Sequence, residues 1–365
     1  MDKKFVITIS SLSVLFLLIG SGAGYYLYDI FNKAPDEVIA GPAGGSSLGS
    51  IAHRNKLVEE ALKNDTLVST IPPHDIVNYA FDIFTSKKYS LVVGQGNALA
   101  SAGFTKVNQT IISTTYNTPE GFFHQKESDS SFVHAADRYY EDRQNKVIHG
   151  YEASRATDWA KTKVKEYTYD SFIQTYGKLN TGNYFCVSSD ADNDNPIPEK
   201  FLSFDKEEYE QSQEKQKFVR NGALIYNLTK DTVKPQGENS KTSVEKVEEG
   251  YKVTIDLDVI GKPYSVSYYA VQMKSTGDLA RRPKFSECVL TFDFDAQLNP
   301  LSSNFMDRYD ADTGVISADT TSEIKQYYFY SDNNTFNGVT INLPLVNEPT
   351  FAGFQLLPKQ EGGEE

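Results

Sequence analysis

The sequence predicts an α+β fold in which a curved antiparallel sheet, shaped as an incomplete barrel, is backed by helices and preceded by an N-terminal transmembrane helix. The 365 residues include 23 Tyr and 22 Phe but one Trp, and Tyr and Phe are enriched in strands. Many segments alternate apolar and polar residues between turns rich in Gly, Asn and Asp. A few others carry apolar residues at helical spacing.

Net charge narrows the classes of partner. The chain has 36 Lys and Arg against 49 Asp and Glu, a formal charge of -13. A field of this sign repels phosphate backbones, so nucleic acid is not expected as a partner.

Residues 1–33 predict a membrane anchor. Lys3 and Lys4 precede 24 uncharged residues from Phe5 to Tyr28, which is long enough to span a bilayer with the N-terminus in the cytoplasm. A cleaved signal peptide is the alternative, because Ser21-Gly22-Ala23 supplies small residues after the apolar run. Both interpretations make the rest of the chain extracytoplasmic, either held at the cell membrane or secreted.

A flexible spacer is expected over residues 34–70, where Pro35, Pro42 and a Gly-Gly-Ser-Ser run open the segment. A short helix is predicted within it, from His53 to Leu62. Asp75 is then a good N-cap for a helix through Phe84.

The first half of the ectodomain, residues 71–180, is predicted as this helix followed by an antiparallel meander. A Gly-rich turn is expected from Gly94 to Gly103. A second helix is expected from Asp158 to Leu179. The predicted strands are Tyr89 to Val93, Phe104 to Tyr116, Gly121 to Glu127, Ser131 to Tyr140 and Lys146 to Tyr151.

An acidic polar insertion follows over residues 181–249, with one edge strand expected between Val233 and Glu249. Residues 250–358 repeat the order of helix and meander as a second half of the same ectodomain, and residues 359–365 form a disordered tail. The elements predicted there are strands at Tyr251 to Val259, Phe285 to Phe294, Leu301 to Tyr309 and Val315 to Tyr330, and a helix from Pro263 to Lys274.

Chemistry-bearing motifs are sparse. Cys186 and Cys288 are the only cysteines, and an exported chain allows a disulfide between them, two buried free thiols being the alternative. The Asp190-Ala-Asp-Asn-Asp194 run resembles the start of a calcium loop but has Asn195 and Phe201 where that loop needs Gly and Glu. We therefore predict no catalytic residue, metal or cofactor; enzyme activity is left uncertain and is the less favoured alternative.

Aromatic residues supply the candidate ligand-binding set. Pairs of adjacent aromatics in both halves of the ectodomain could line an apolar concavity, with ordinary core packing as the alternative. The candidates are Phe122, Phe123, Tyr268, Tyr269, Tyr328 and Phe329.

The segment from Tyr251 to Tyr330 gives a resemblance to a known family. Its order of strand, helix and then Phe285-Ser-Glu-Cys-Val-Leu-Thr-Phe-Asp-Phe-Asp295, with Arg308-Tyr309 in the next strand, resembles the bacterial lipoprotein-carrier superfamily. The resemblance extends over residues 75–350, apart from the insertion. It implies a half-barrel around helices, with an apolar cavity for acyl chains.

Two functions follow as expectations. The first is a non-catalytic, membrane-anchored protein of the bacterial envelope that binds a lipid or another apolar ligand. The alternative is an envelope recognition or scaffold module that binds a protein or polysaccharide through surface loops.

Overall fold

The computed structural model describes residues 51–85, 87–130, 134–153, 165–168, 184–188, 216–221, 226, 228–266, 269–270, 280–312, 314, 317–344 and 352–358. The predicted anchor, the spacer up to residue 50, the calcium-like run and the C-terminal tail lie outside these residues. Among the residues described, no helix is both long enough and apolar enough to cross a membrane.

An open, curved antiparallel sheet dominates the fold. Its strands are β1 (Tyr89–Ala102), β2 (Thr105–Asn117), β3 (Gly121–Ser130), β4 (His134–Asp142), β5 (Val147–Ala153), β6 (Lys165–Thr168), β9 (Ser243–Val247), β10 (Gly250–Asp256), β11 (Lys284–Asp295), β12 (Pro300–Asp312) and β13 (Ser317–Ser331). They lie in the order β6-β5-β4-β3-β2-β1-β13-β12-β11-β10-β9. Short pairs outside this sheet join β7 (Tyr184–Ser188) to β8 (Gln216–Asn221) and β14 (Thr335–Phe336) to β15 (Val339–Thr340).

The pairing of β1 with β13 joins the two predicted meanders into one sheet. It continues through the segment for which we predicted a turn, so the turn from Gly94 to Gly103 is wrong over most of its length. Gly96 lies inside β1, where a Cβ atom would come within 2.2 Å of the Glu323 carbonyl oxygen. The glycine thus permits close approach of two strands, a role that composition alone does not separate from a turn.

Helices cover part of one sheet face. Helix α1 (Ile51–Leu62) confirms the helix predicted from His53, and α2 (Pro73–Thr85) confirms the one predicted from Asp75. The side chain of Phe81 on α2 is 1% exposed, and its ring lies 5.7 Å from that of Phe292. Burying such a side chain stabilises the fold by about 1.5–3 kcal/mol.

One predicted helix differs from the structure, and another is described only in part. Within Asp158 to Leu179, the described residues Lys165–Thr168 form strand β6 on the edge of β5. The open edge of β5 offers backbone hydrogen bonds there, and these override a helical spacing of apolar residues. The helix predicted from Pro263 to Lys274 begins as a 3-10 helix over Pro263–Val266, and residues 269–270 are α-helical.

Candidate functional site

Alternate residues of the central strands point to opposite sides of the sheet. Val92, Phe305 and Tyr328 belong to the main hydrophobic core, and we call their side of the sheet the core face. The intervening residues, such as Gln95, Asn304 and Lys325, lie on the other side, which we call the groove face.

The groove face carries a concavity of about 790 Å³ that extends across β2, β1, β13, β12, β11 and β10. Six neighbouring strands therefore contribute to a single surface. Most of the side chains that line it are polar or charged, which distinguishes it from the apolar cavity of the sequence hypothesis. They are Gln95, Asn97, Thr110, Lys252, Thr291, Asp293, Ser302, Asn304, Glu323 and Lys325.

Hydrogen bonds between strands hold both acidic groups of the groove. The Ser302 hydroxyl donates to Asp293 Oδ2 at 2.6 Å, and Asn304 Nδ2 donates to Glu323 Oε1 at 2.8 Å. Such contacts restrict the rotamers of the lining before a ligand binds, which lowers the entropic cost of binding.

Cations and anions balance in the groove. Lys252 lies directly opposite Asp293 in the pairing of β10 with β11, and Lys325 lies two residues from Glu323 on the same face of β13. The formal charge of the lining is therefore zero. A lining that combines amides, hydroxyls and balanced charges suits a ligand with many hydrogen-bonding groups.

Strand alternation explains how this groove forms. Along β12, the side chains of Ser302 and Asn304 are partly exposed and line the groove, whereas those of Ser303 and Phe305, which alternate with them, are buried. The buried residues hold the strand against the core, and the alternate positions carry polar groups that can remain hydrated. The same alternation on β13 presents Glu323 and Lys325.

The predicted aromatic residues do not gather on this groove. Tyr328 is buried on the core face, where its ring lies 5.1 Å from Phe81 and 5.5 Å from Phe84. Burial raises the pKa of its hydroxyl, whose oxygen lies 2.7 Å from that of Ser303. Tyr269 packs against the same core, with its ring 5.8 Å from Tyr226.

The other predicted residues lie elsewhere. Phe123 is buried in a second cluster on the groove face, beyond the groove, and Phe329 packs against that cluster. Phe122 is buried on the opposite side of β3, facing Glu141 of β4. Tyr268 lies outside the described residues, so a shared binding role for the six aromatics stays a prediction.

The second cluster is closed by the C-terminal part of the chain. Tyr116 is fully buried, and its hydroxyl donates a hydrogen bond to the Ile341 carbonyl oxygen at 2.8 Å. Its ring lies 5.9 Å from that of Phe336 on β14. This packing covers one end of the groove face and leaves the polar end open.

A buried acid lies on the core face away from the groove. Asp307 is 1% exposed, and burial raises its pKa to about 6, although contacts with Cys288, Tyr226 and Ser322 oppose the shift. The Tyr226 hydroxyl donates to Asp307 Oδ2 at 2.8 Å. This interaction fixes Tyr226 to the centre of the sheet.

Cys288 lies directly opposite Asp307 on β11. It is a free, fully buried thiol in the structure, and burial raises its pKa. The disulfide between Cys186 and Cys288 stays a prediction. The side chain of Cys186 lies outside the described part of the chain, so the redox state of the pair stays open to a thiol measurement.

Comparisons with known proteins give little similarity. No protein-family model and no characterised sequence matches the chain. Among solved structures, a DUF1329 family protein from Desulfovibrio piger is similar at 7% identity and a TM-score of 0.23, over 71% of this chain and 92% of that one. The similarity is distant, no function rests on it, and the predicted relation to lipoprotein carriers stays a resemblance.

Sequence reasoning missed the groove residues. Lys325 and Asn304 were inside correctly predicted strands, and their alternation with buried neighbours was a usable sign of a polar face. Which polar residues of six strands meet depends on the register, and the register depends on the β1–β13 pairing that the expected glycine turn concealed.

Proposed function

We propose that this protein is a non-catalytic recognition module that binds an extended, polar ligand in the groove. The observation that carries the proposal is the 790 Å³ concavity lined by polar side chains from six strands. It favours the second of the two functions expected from the sequence, with the binding surface moved from the loops to the sheet.

The uncharged N-terminal segment supports a position of the groove on the outer side of a bacterial membrane. An anchored module of this kind would meet its ligand in the cell wall or on another envelope protein. An apolar ligand would need an apolar cavity, whereas the walls of the groove are polar. The described aromatic candidates are buried or pack against a hydrophobic cluster, so they do not supply such a cavity.

A bulky substitution in the groove tests the proposal. Asn304 lines the groove, and Arg308 is an exposed residue on the same face of β12 outside it. We expect Asn304→Trp to fill the groove without disturbing the core, and Arg308→Trp to serve as the matched control.

The full-length protein and both variants are titrated with soluble polysaccharides, polar peptides and a fluorescent fatty acid. We expect a polar polymer to bind the wild type and Arg308→Trp equally, and Asn304→Trp to bind it about tenfold or more weakly, a loss of at least about 1.4 kcal/mol. Binding of the fatty acid alone, binding of no polymer, or equal binding by Asn304→Trp would each overturn the proposal.

A further inference from the structure

Four polar side chains form a row across the floor of the groove. Gln95 pairs with Lys325, Lys325 pairs with Asn304, and Asn304 pairs with Thr291 in the strand registers. All four lie on the groove face and line the concavity. The row therefore runs perpendicular to the strands, from β1 through β13 and β12 to β11.

Strand spacing sets the interval of this row. Neighbouring strands lie about 4.8 Å apart, so the four side chains span about 14 Å in three equal steps. An extended peptide would present side chains to the floor every two residues, about 6.7 Å apart. This interval is longer than the strand spacing, so successive peptide side chains would no longer lie over successive residues of the row. In an extended glycan, successive pyranose rings are separated by a distance close to the strand spacing, so each ring can lie over one residue of the row.

The chemistry of the row also fits sugar hydroxyls. The amides of Gln95 and Asn304 both donate and accept, as does the hydroxyl of Thr291, and a sugar hydroxyl does the same. Asn304 already directs one N–H to Glu323, which fixes the amide plane. Lys325 adds donors at the centre of the row.

Charge distinguishes between classes of glycan. Two lysines and two carboxylates balance in the groove, and the chain as a whole carries -13. A polyanionic glycan would meet the repulsion of the whole molecule, whereas an uncharged glycan would not.

We propose that the ligand is an uncharged, extended glycan that crosses the strands along the row of Gln95, Lys325, Asn304 and Thr291, with about one ring over each strand. This inference rests on the proposed function of the groove and specifies its ligand class.

The experiment titrates the full-length protein with β-1,4-linked oligomers of glucose and of N-acetylglucosamine, from disaccharide to hexasaccharide. We expect affinity to rise up to the tetrasaccharide, which covers the four strands, and to change little beyond it. Thr291→Val, which removes one hydroxyl of the row, is expected to weaken tetrasaccharide binding about three- to tenfold.

Thr321→Val is the matched control, because Thr321 lies on the same face of β13 and outside the groove lining. An equal effect of Thr321→Val, affinity that is independent of length, or no binding of either series would overturn the glycan assignment.

The failure of this inference differs from the failure of the proposed function. If no oligosaccharide binds, but a polar peptide binds the wild type and binds Asn304→Trp more weakly, the groove is a binding site for another class of ligand. If Asn304→Trp leaves the binding of every polymer unchanged, the groove itself is not the site.

Discussion

Replacement of Asp307 with Asn gives a direct test of the packing at the centre of the sheet. Asp307 is held between Cys288 on β11 and Ser322 on β13, with the Tyr226 hydroxyl 2.8 Å from Oδ2. The substitution keeps the shape of the side chain and removes its ionisation.

The pH dependence follows from the two pKa values. The pKa of Asp307 is about 6 in the fold, against 3.8 for an unperturbed Asp. Because the pKa is higher in the folded state, the fold favours the protonated form of Asp307. The contribution of this protonated side chain to stability is fully present below pH 3.8 and is lost as the pH rises through 6. Ionisation at neutral pH thus costs the fold about 3 kcal/mol, since each pKa unit is worth about 1.4 kcal/mol.

Lowering the pH from 7.5 to 5 should raise the free energy of unfolding of the wild type by about 1–2 kcal/mol through Asp307, and this contribution should be absent from Asp307→Asn. Chemical denaturation of both proteins at the two pH values measures the difference. Other groups, including the buried His74 whose pKa is lowered by burial, are common to both proteins and cancel in the comparison. An identical pH dependence of both proteins would refute the assignment of a raised pKa to Asp307.

Three further predictions concern the sheet, the core and the cysteines. Gly96→Val should lower the free energy of unfolding by more than about 2 kcal/mol in urea titration, because its Cβ has no room beside β13; unchanged stability would show that the strands are farther apart. Phe81→Ala should cost about 3–5 kcal/mol in the same assay, and the fully exposed Phe104→Ala close to none; equal effects would contradict the placement of α2. Thiol titration without reductant should detect both cysteines in denaturant and no reaction of Cys288 in the native protein; two missing thiols in denaturant would reveal the disulfide with Cys186.

Local patterns predicted the elements with the strongest periodicity. The strand predicted from Phe285 to Phe294 corresponds to β11, and the helix from Asp75 to Phe84 corresponds to α2. In both, a run of apolar residues with one clear period lies between residues that favour turns or caps. The edge strand expected in the polar region before residue 250 is β9.

Long-range pairing was beyond the reach of these patterns. Gly94 and Gly96 fit a turn by composition, and only the neighbouring β13 shows that Gly96 permits two strands to approach. The aromatic candidates had a similar ambiguity, because Tyr328 and Phe329 are adjacent in sequence and alternation sends them to opposite faces. A candidate site drawn from adjacent residues of one strand cannot converge on one surface.

Lysine footprinting tests most directly whether the groove binds the ligand. The full-length protein is acetylated with and without the polar polymer that binds it most tightly, and modified lysines are quantified by mass spectrometry. Lys325 and Lys252 are exposed in the groove, whereas Lys284 is exposed at the start of β11 outside it. We predict slower acetylation of Lys325 and Lys252 and no change at Lys284; protection of Lys284 with no change at the two groove lysines would contradict the assignment.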